Sequence, residues 1–427
     1  MEIYDVIIVG AGAAGLLAAG SAAESGGRVL VLEKMKQEGC KIMVTGNGRC
    51  NITNNASIKE FIRHIYINGK FVRKALSNFF SDDIISILKQ NGVNVKLESS
   101  GRYFPESNRS ADVLKALLKW VNEKGVEIKC NFKVEKLLIE NNEIKGVQAN
   151  GKKFLSKSVI LATGGKSYPA TGSTGEGYDM AKKAGHSLIN IRPSLVPLET
   201  KENYIKILQG ISLKDIKASI WINGKKEKEE KGEMLFTHYG LSGPLILILS
   251  RYVVDALIAG KKAEVSIDLN PEINEHELDI RLQKKLNENG KKKPGNVFKL
   301  WLPSSVVPVF MKLCNIDPEK ECHQITSKER KQVRNLLKNF RFQIINYRSF
   351  KEAIVTAGGI NIDEITSDTM ESKLVSGLFF AGEIMDVDAE TGGFNLQIAW
   401  STGWLAGKSC MKNKKPGLYP LIYNGNL

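Results

Sequence analysis

Two short stretches hold the residues best suited to chemistry, and they lie at opposite ends of the chain. The first, 10-GAGAAG-15, follows the apolar run 6-VIIV-9 and opens an alanine-rich helical pattern. A strand, a glycine turn and a helix in that order turn backbone N–H groups toward an anion, with the partial positive charge of the helix start behind them. Gly10 permits the tight turn, Gly12 lets the backbone approach a pyrophosphate, and Gly15 lets helix and strand pack closely, with Ala13 and Ala14 completing the cradle. Glu33 closes the next strand 23 residues after Gly10, with Lys34 beside it. Its carboxylate can accept both ribose hydroxyls and would repel a 2′-phosphate, which favours FAD or NAD over NADP.

The second stretch is 379-FFAGEIMDVDAETGGFNLQIAWSTG-403. Strand Gly377–Phe380 delivers Gly382 and Glu383, and Gly392-Gly393-Phe394-Asn395-Leu396 opens a helix running through Trp400 toward Leu405. A helix start aimed at the N1–C2=O edge of a flavin favours the negative charge of the reduced ring by on the order of 1 kcal/mol. The adenosine half of FAD lies on the first unit while its ribityl chain and ring need separate contacts, so a second glycine turn favours FAD over NAD. Thr163-Gly164-Gly165, after the apolar run 158-SVILA-162, is a third such turn, a close passage of backbone beside the dinucleotide. Asp386, Asp388 and Glu390 read as a solvated acidic turn.

The elements that must position these turns follow from the hydrophobic period. Residues 3–33 read as βαβ, with strand Tyr4–Val9, helix Ala13–Ser25 and strand Arg28–Leu32. Helical stretches follow at Lys59–Phe80 and Asp82–Asn91, with a short strand near Val93–Leu97. A helix at Ser110–Lys124 precedes strands at Val126–Cys130, Lys133–Glu140 and Glu143–Ala149, the last two joined by an Asn141-Asn142 turn. Texture changes near Pro193. Alternating stretches 216-IKASIWI-222 and 263-AEVSIDL-269, helical patterns at Glu275–Asn289, Ser304–Leu313 and Ser327–Asn339, and a strand at 340–347 read as an insertion. The final segment then resumes the strand, glycine turn, helix grammar of the first third.

With 427 residues and 42% apolar composition the chain can fill two or three lobes. No apolar run approaches the ~20 residues a bilayer requires, and acidic Glu2 and Asp5 at the start argue against a signal peptide. Six scattered cysteines without a C-x-x-C pair favour a reducing cytoplasm and no metal; Cys314 with Cys322-His323 is the single metal-like grouping. The net charge of +15 is only mildly concentrated in 193–347. Its densest runs, 224-GKKEKEEKG-232 and 291-KKKPG-295, lack interleaved aromatics and read as a hairpin tip and a loop.

The combination 45-TGNGRCNITN-54, 162-ATGGKSYPATGSTGEGY-178, 236-FTHYGLSGP-244 and 381–403 resembles the BaiN-type, aminoacetone oxidase-like family of bacterial FAD-dependent oxidoreductases. The resemblance spans the chain. It implies an α/β fold, a doubly wound, Rossmann-like FAD-binding domain (1–192 and 348–427) interrupted by a β-barrel-like domain (193–270 and 326–347) and a small helical cap (271–325). It also implies flavin contacts from Lys41, from the loop Thr45, Gly46, Arg49, Cys50 and Asn51, from Val134 near the adenine, and from Gly393–Leu396. Asn47 stands where many relatives carry glycine; Asn is the least costly replacement if φ is positive there. In the loop itself small residues let N–H groups face a ligand, Arg49 can meet phosphate or a flavin oxygen, and Asn51 offers donor and acceptor. Cys50 reads as a small buried side chain rather than a redox thiol.

Tyr168 and His238 are the candidate general acids or substrate-orienting groups. His238 has a structural reading too, bonding the turn before the helix start at Ser242-Gly243-Pro244. The expected activity is hydride transfer between the flavin N5 and a small organic substrate held between the domains. No second strand-GxGxxG-helix unit exists, since 172-GSTGEGYDMAKKAG-185 lacks a strand directly before it. NAD(P)H would therefore visit transiently, or oxygen would reoxidise the flavin. Two rival readings are a tRNA-modifying flavoprotein, suggested by the basic balance, and a non-catalytic flavin-binding module. No feature fixes an oligomeric state.

Overall fold

The computed structural model describes residues 3–412. They divide into two compact units, one running to Ile191 and resuming at Val355, the other Arg192–Ile354. The first unit opens with β1 (Ile3–Val9), α1 (Ala13–Glu24) and β2 (Val29–Leu32), the expected βαβ. Every residue of β2 and the last four of β1 are buried, as befits parallel strands covered on both faces. Next come α2 (Cys40–Val44), β3 (Thr53–Asn54), α3 (Ile58–Arg63), α4 (Arg73–Asn78) and α5 (Ser81–Gln90). The single helical stretch expected over Lys59–Phe80 is thus broken. Asn68 adopts φ 61°, outside the helical region, and its amide is drawn away to donate to the Asp386 carbonyl at 2.8 Å.

Strands β4 (Val95–Leu97) and β5 (Arg102–Pro105) complete a small antiparallel sheet with β3. In α6 (Ser110–Glu123) the expected apolar positions Val113, Leu117 and Val121 are buried together with Ala116 and Trp120, while Leu114 and Leu118, expected on the same face, are partly buried against the core. After β6 (Glu127–Lys129), strands β7 (Val134–Glu140) and β8 (Glu143–Ala149) join through Asn141-Asn142 at φ 50° and 58°. Two consecutive positive φ values suit a tight hairpin, which is why asparagine serves there. The stretch ends with β9 (Lys152–Leu161), α7 (Glu176–Lys183) and β10 (Leu188–Ser194).

The second unit is a closed barrel of β11 (Leu198–Thr200), β12 (Ser212–Ile222), β13 (Lys225–Phe236), β14 (Gly240–Ser242), β15 (Ala263–Asp268) and β16 (Phe340–Tyr347), all pairs antiparallel. Helix α8 (Pro244–Ile258) follows β14; α9 (Glu275–Glu288), α10 (Pro294–Phe298), α11 (Val307–Leu313) and α12 (Ser327–Lys338) form a helical cluster in the same unit. Phe236, Phe340, Phe342 and Phe310 pack together in its core. The lysine–glutamate run 224–232 is mostly strand rather than hairpin tip. The turn lies one step earlier, at Asn223 and Gly224 (φ 50° and 78°), and opposite charges pair across the ladder, as in Lys217–Glu229 at 3.5 Å.

The chain then returns to the first unit through β17 (Val355–Ile360), which pairs with β10, β18 (Leu378–Phe380) and α13 (Phe394–Cys410). The main sheet runs β6-β2-β1-β9-β8-β7, and β18 also pairs with β9. One edge of β9 is shared: Lys152–Leu155 pairs antiparallel with β8, and Val159–Leu161 pairs parallel with β18. A seam of small residues joins α13 to α1. A Cβ at Gly403 would collide with the Ala14 carbonyl, and one at Gly407 with that of Ala18. Because both contacts step by four in the same direction, the two helices run parallel. Residues 413–427, the end of the expected FAD-binding segment, lie outside the described residues.

Candidate functional site

Register decides where the glycine turns meet. Val9 pairs with Leu32 on one side and Leu161 on the other, and Leu161 pairs with Phe380, all in parallel. Four strand ends therefore stand level. The residues just beyond them, Glu33, Gly10, Thr163 to Gly165, and Gly382-Glu383, line one edge of the sheet. Ligands of open α/β sheets bind at such carboxyl ends.

The first turn behaves as its residue types require. Gly10 has φ 102°, and a Cβ there would come within 2.7 Å of the Ala162 carbonyl oxygen, so the turns after β1 and β9 touch. A Cβ at Gly15 would strike the Gly10 carbonyl. At Gly12 it would meet nothing within 4 Å. That open approach sits at the start of α1, which has no side-chain cap and no acidic residue in its first turn, so its first N–H groups remain free for an anion. Glu33 accepts the Ala11 and Met35 N–H groups, each at 2.8 Å and on different oxygens. A carboxylate has about four lone-pair sites, so acceptor capacity is left for ribose hydroxyls.

The start of α13 repeats the pattern, with Gly393 at φ 94° and neither a side-chain cap nor a first-turn acid. Since Gly403 lies level with Ala14, α13 begins about 12 Å beyond the start of α1 at 1.5 Å per residue. The turn after β18 is wedged at this seam, where a Cβ on Gly382 would lie 2.8 Å from that of Ala14. At the far end, the Thr53 carbonyl approaches Gly393 so closely that a Cβ would lie at 2.5 Å, and the Asn54 amide donates to the Gly392 carbonyl at 3.0 Å. These contacts bring the loop before β3 to the start of α13. In that loop Gly46, Asn47, Gly48 and Cys50 have φ of 56°, 56°, 82° and 60°, so Asn47 does occupy the conformation that tolerates it.

Within the loop, Asn51 Oδ1 is buried with no hydrogen-bond partner in the protein. Thr45 donates its hydroxyl to the Ile42 carbonyl at 2.7 Å. Cys50 is fully buried, and burial pushes its thiol up to about 12, which makes it a packed side chain rather than a redox thiol. The Arg49 guanidinium is committed to Glu98 and to Asn108 Oδ1 at 2.7 Å and lies 4.0 Å over the Phe104 ring. That leaves the Thr45–Asn51 cradle to backbone and Asn51. Beside the first turn, Lys34 pairs with Glu176 at 2.8 Å, and Val134 is buried at the start of β7.

Lys41, Ser167 and Glu383 form a network the spacing could not reveal. The Lys41 ammonium meets Glu383 at 2.5 Å and Ser167 Oγ at 2.6 Å, and Ser167 Oγ donates to the other Glu383 oxygen at 2.9 Å. The acidic loop departs from expectation. Asp386 and Asp388 are only 4% and 1% exposed, not solvated. The loop is pinned from both sides, by Asn68 on Asp386 and by Asn395, whose side chain bonds the Ala389 N–H at 3.0 Å and carbonyl at 2.8 Å. Phe394 stacks on His64, which reaches Glu390 at 2.7 Å, while Leu396 packs partly buried against the core.

Tyr168 follows Ser167 and adopts φ 51°, a conformation that costs a non-glycine residue on the order of 1 kcal/mol or more. Burial raises its phenol above the ordinary value. His238 belongs to the other unit, exposed, its ring edge-on to Tyr239 at 4.8 Å. The turn it sits in is closed by Thr237, whose hydroxyl accepts the Gly240 N–H at 3.0 Å, so His238 does not do that bonding itself.

The residues present fit a flavin dinucleotide: an open glycine approach at one helix start, an orphaned buried amide oxygen in the loop at the other, and an offset of about 12 Å between the starts along the helix axes. Residues 4–409 match the family description "HI0933-like protein Rossmann domain". The chain belongs to the HI0933-like family. A 3-dehydro-bile acid delta(4,6)-reductase from Clostridium scindens is 32% identical over 94% of this chain and 98% of its own length. A ribosomal RNA dihydrouridine synthase from Escherichia coli is 31% identical over 97% and 100%. Among solved structures, a 3-ketosteroid delta1-dehydrogenase from Sterolibacterium denitrificans shares the fold with TM-score 0.54 at 14% identity, covering 97% of this chain and 100% of its own. This HI0933-like protein is thus an FAD-dependent oxidoreductase with a Rossmann-type FAD-binding domain and a barrel inserted in it. Among the described residues no cluster of His, Cys, Asp or Glu could hold a metal, and no helix is long and apolar enough to cross a membrane.

Proposed function

We propose that this protein reduces a carbon–carbon double bond conjugated to a carbonyl, adding hydride to the β-carbon and a proton to the α-carbon. The names of two relatives that match across nearly the whole chain support this reading. A 3-keto delta(4,6) bile acid and a uracil base share that functional group, although one is a small molecule and the other part of an RNA. The single observation that carries the cofactor half is the level row of four strand ends, with bare helix starts offset by about 12 Å along their axes.

Bound FAD would supply the hydride. The residues to hold it are Gly10 to Gly15 and Glu33 at the dinucleotide end, Thr163 to Gly165 and Gly382 along its path, and Lys41, Asn51 and the Gly393–Leu396 turn at the ring end. The N–H groups opening α13 would stabilise negative charge on the reduced ring. Tyr168 is the proton donor in this reading. A phenol is protonated across the neutral range and burial raises this one further, and giving up that proton to the α-carbon completes the saturation. NAD(P)H is the proposed electron source, visiting transiently for want of a second glycine fingerprint.

The substrate is a small conjugated ketone in the first reading and a uridine in RNA in the second. The second is raised by the name of the Escherichia coli relative and is compatible with the net charge of +15, and neither sets it above the first. The test is anaerobic mixing of dithionite-reduced holoenzyme with a steroid 4,6-dien-3-one and, separately, with ribosomal RNA lacking dihydrouridine. Recovery of the oxidised flavin spectrum with either probe, at least about a hundredfold slower in Tyr168→Phe, is the expected result. No reoxidation by either probe would end the conjugated-alkene reading.

A further inference from the structure

Thr356, on β17, stands 190 residues from the loop it holds. It is 1% exposed, and its hydroxyl accepts two successive backbone N–H groups, from Lys166 at 2.8 Å and Ser167 at 3.1 Å. Its own N–H donates at 2.8 Å to the Glu383 oxygen that also takes the Ser167 hydroxyl. Glu383 is in turn anchored by Lys41. Gly165 makes this possible, because any Cβ there would run into the Thr356 hydroxyl and come within 2.8 Å of Glu383. On the far side of Tyr168, the Thr171 N–H and hydroxyl both bond the Tyr168 carbonyl, at 2.8 and 2.7 Å.

Tyr168 is therefore clamped between two anchors while its backbone sits at φ 51°. A non-glycine residue persists in that region when its surroundings hold it there. In the clamp's upstream half one hydroxyl, that of Thr356, holds two successive backbone N–H groups, beside the bonds of the Ser167 side chain to Glu383 and Lys41.

We propose that Thr356 is a positioning residue, fixing the Tyr168 phenol for proton delivery by holding the Lys166-Ser167 backbone against Glu383. The inference rests on Tyr168 being the proton donor. Thr356 touches neither substrate nor cofactor in this role. It acts through the loop, so its loss misplaces a proton donor rather than removing one.

The test compares holoenzymes carrying Thr356→Val, Thr356→Ser and Tyr168→Phe. Hydrogen exchange of the Gly165–Thr171 peptide should accelerate at least about tenfold in Thr356→Val and stay near wild type in Thr356→Ser, with the FAD spectrum retained in both. Reoxidation of the reduced enzyme by the conjugated probe should slow about ten- to a hundredfold in Thr356→Val, mainly in kcat, and be restored in Thr356→Ser. The alkaline limb of its pH profile, set by the Tyr168 phenol in wild type, should shift in Thr356→Val and vanish in Tyr168→Phe. Unchanged exchange, or unchanged kcat and pH profile where Tyr168→Phe is slowed, would overturn the positioning role and leave the proton donor standing. A fully active Tyr168→Phe would overturn the donor, and the positioning role with it.

Discussion

Helix starts in two regions of the molecule are built on opposite principles. At the edge of the main sheet α1 and α13 begin at Gly12 and Gly393 with no side-chain cap and no acidic first turn. In the helical cluster of the barrel unit, Asn274 caps α9 and accepts the Glu277 N–H at 2.9 Å, while Thr326 and Glu329 form a reciprocal capping box on α12. Even in the first unit α3, with no glycine turn before it, carries a Ser57/Glu60 box. Helix α8 also starts at glycine, but Pro244 at its first turn brings no N–H. At α9, α12 and α3 a neighbouring side chain satisfies the helix start; at α1 and α13, which flank the candidate dinucleotide site, the donors are left bare behind a glycine, as they also are, without that turn, at the short helices α4 and α11.

The contrast breaks most visibly at Gly15, where a methyl group would collide with the Gly10 carbonyl. Gly15→Ala should lower stability by about 1–3 kcal/mol or more and abolish tight FAD binding together, read by thermal melting and flavin absorbance. A variant that melts like wild type and stays yellow would mean that helix and turn are not in close contact there.

Gly12→Ala sharpens the comparison, since its added Cβ meets no protein atom within 4 Å. The apoprotein should lose no more than about 1 kcal/mol, the difference between Gly and Ala at a helix start. FAD affinity should nonetheless fall at least about tenfold, measured by quenching of flavin fluorescence, because the methyl occupies the approach of the pyrophosphate. Equal affinity would place the ligand elsewhere.

Thr326→Ala, the smallest of the three, should cost about 1 kcal/mol of stability through loss of the α12 cap. Flavin absorbance and affinity should not move. A coupled loss of FAD would show that this cap is not the purely structural device its hydrogen bonds indicate.

Much of the first unit could be read along the chain because its signals are local. The glycines of 10–15, Glu33, the Asn141-Asn142 hairpin and the apolar period of α6 each report a backbone or packing requirement within a few residues. The misreadings have one cause. Asp386 and Asp388 look solvated in sequence, but segments some 318 residues away supply the amide that lets one of them be buried. The Lys59–Phe80 helix is interrupted where Ile65 and Tyr66 pair with Ala389 and Asp388 of that same acidic loop, and the 225–231 run is strand because β12 offers a ladder.

By itself, then, the sequence determined the strand–turn–helix units, the two bare helix starts and the insertion between them, since dihedral preference and hydrophobic period act over short range. Only the tertiary structure decided that β18 would share an edge of β9, that Gly403 and Gly407 would seat α13 parallel on α1, and that Lys41 would meet Glu383 across 342 residues. Those are pairings between surfaces each compatible with many partners, and close packing of the whole core selects one of them.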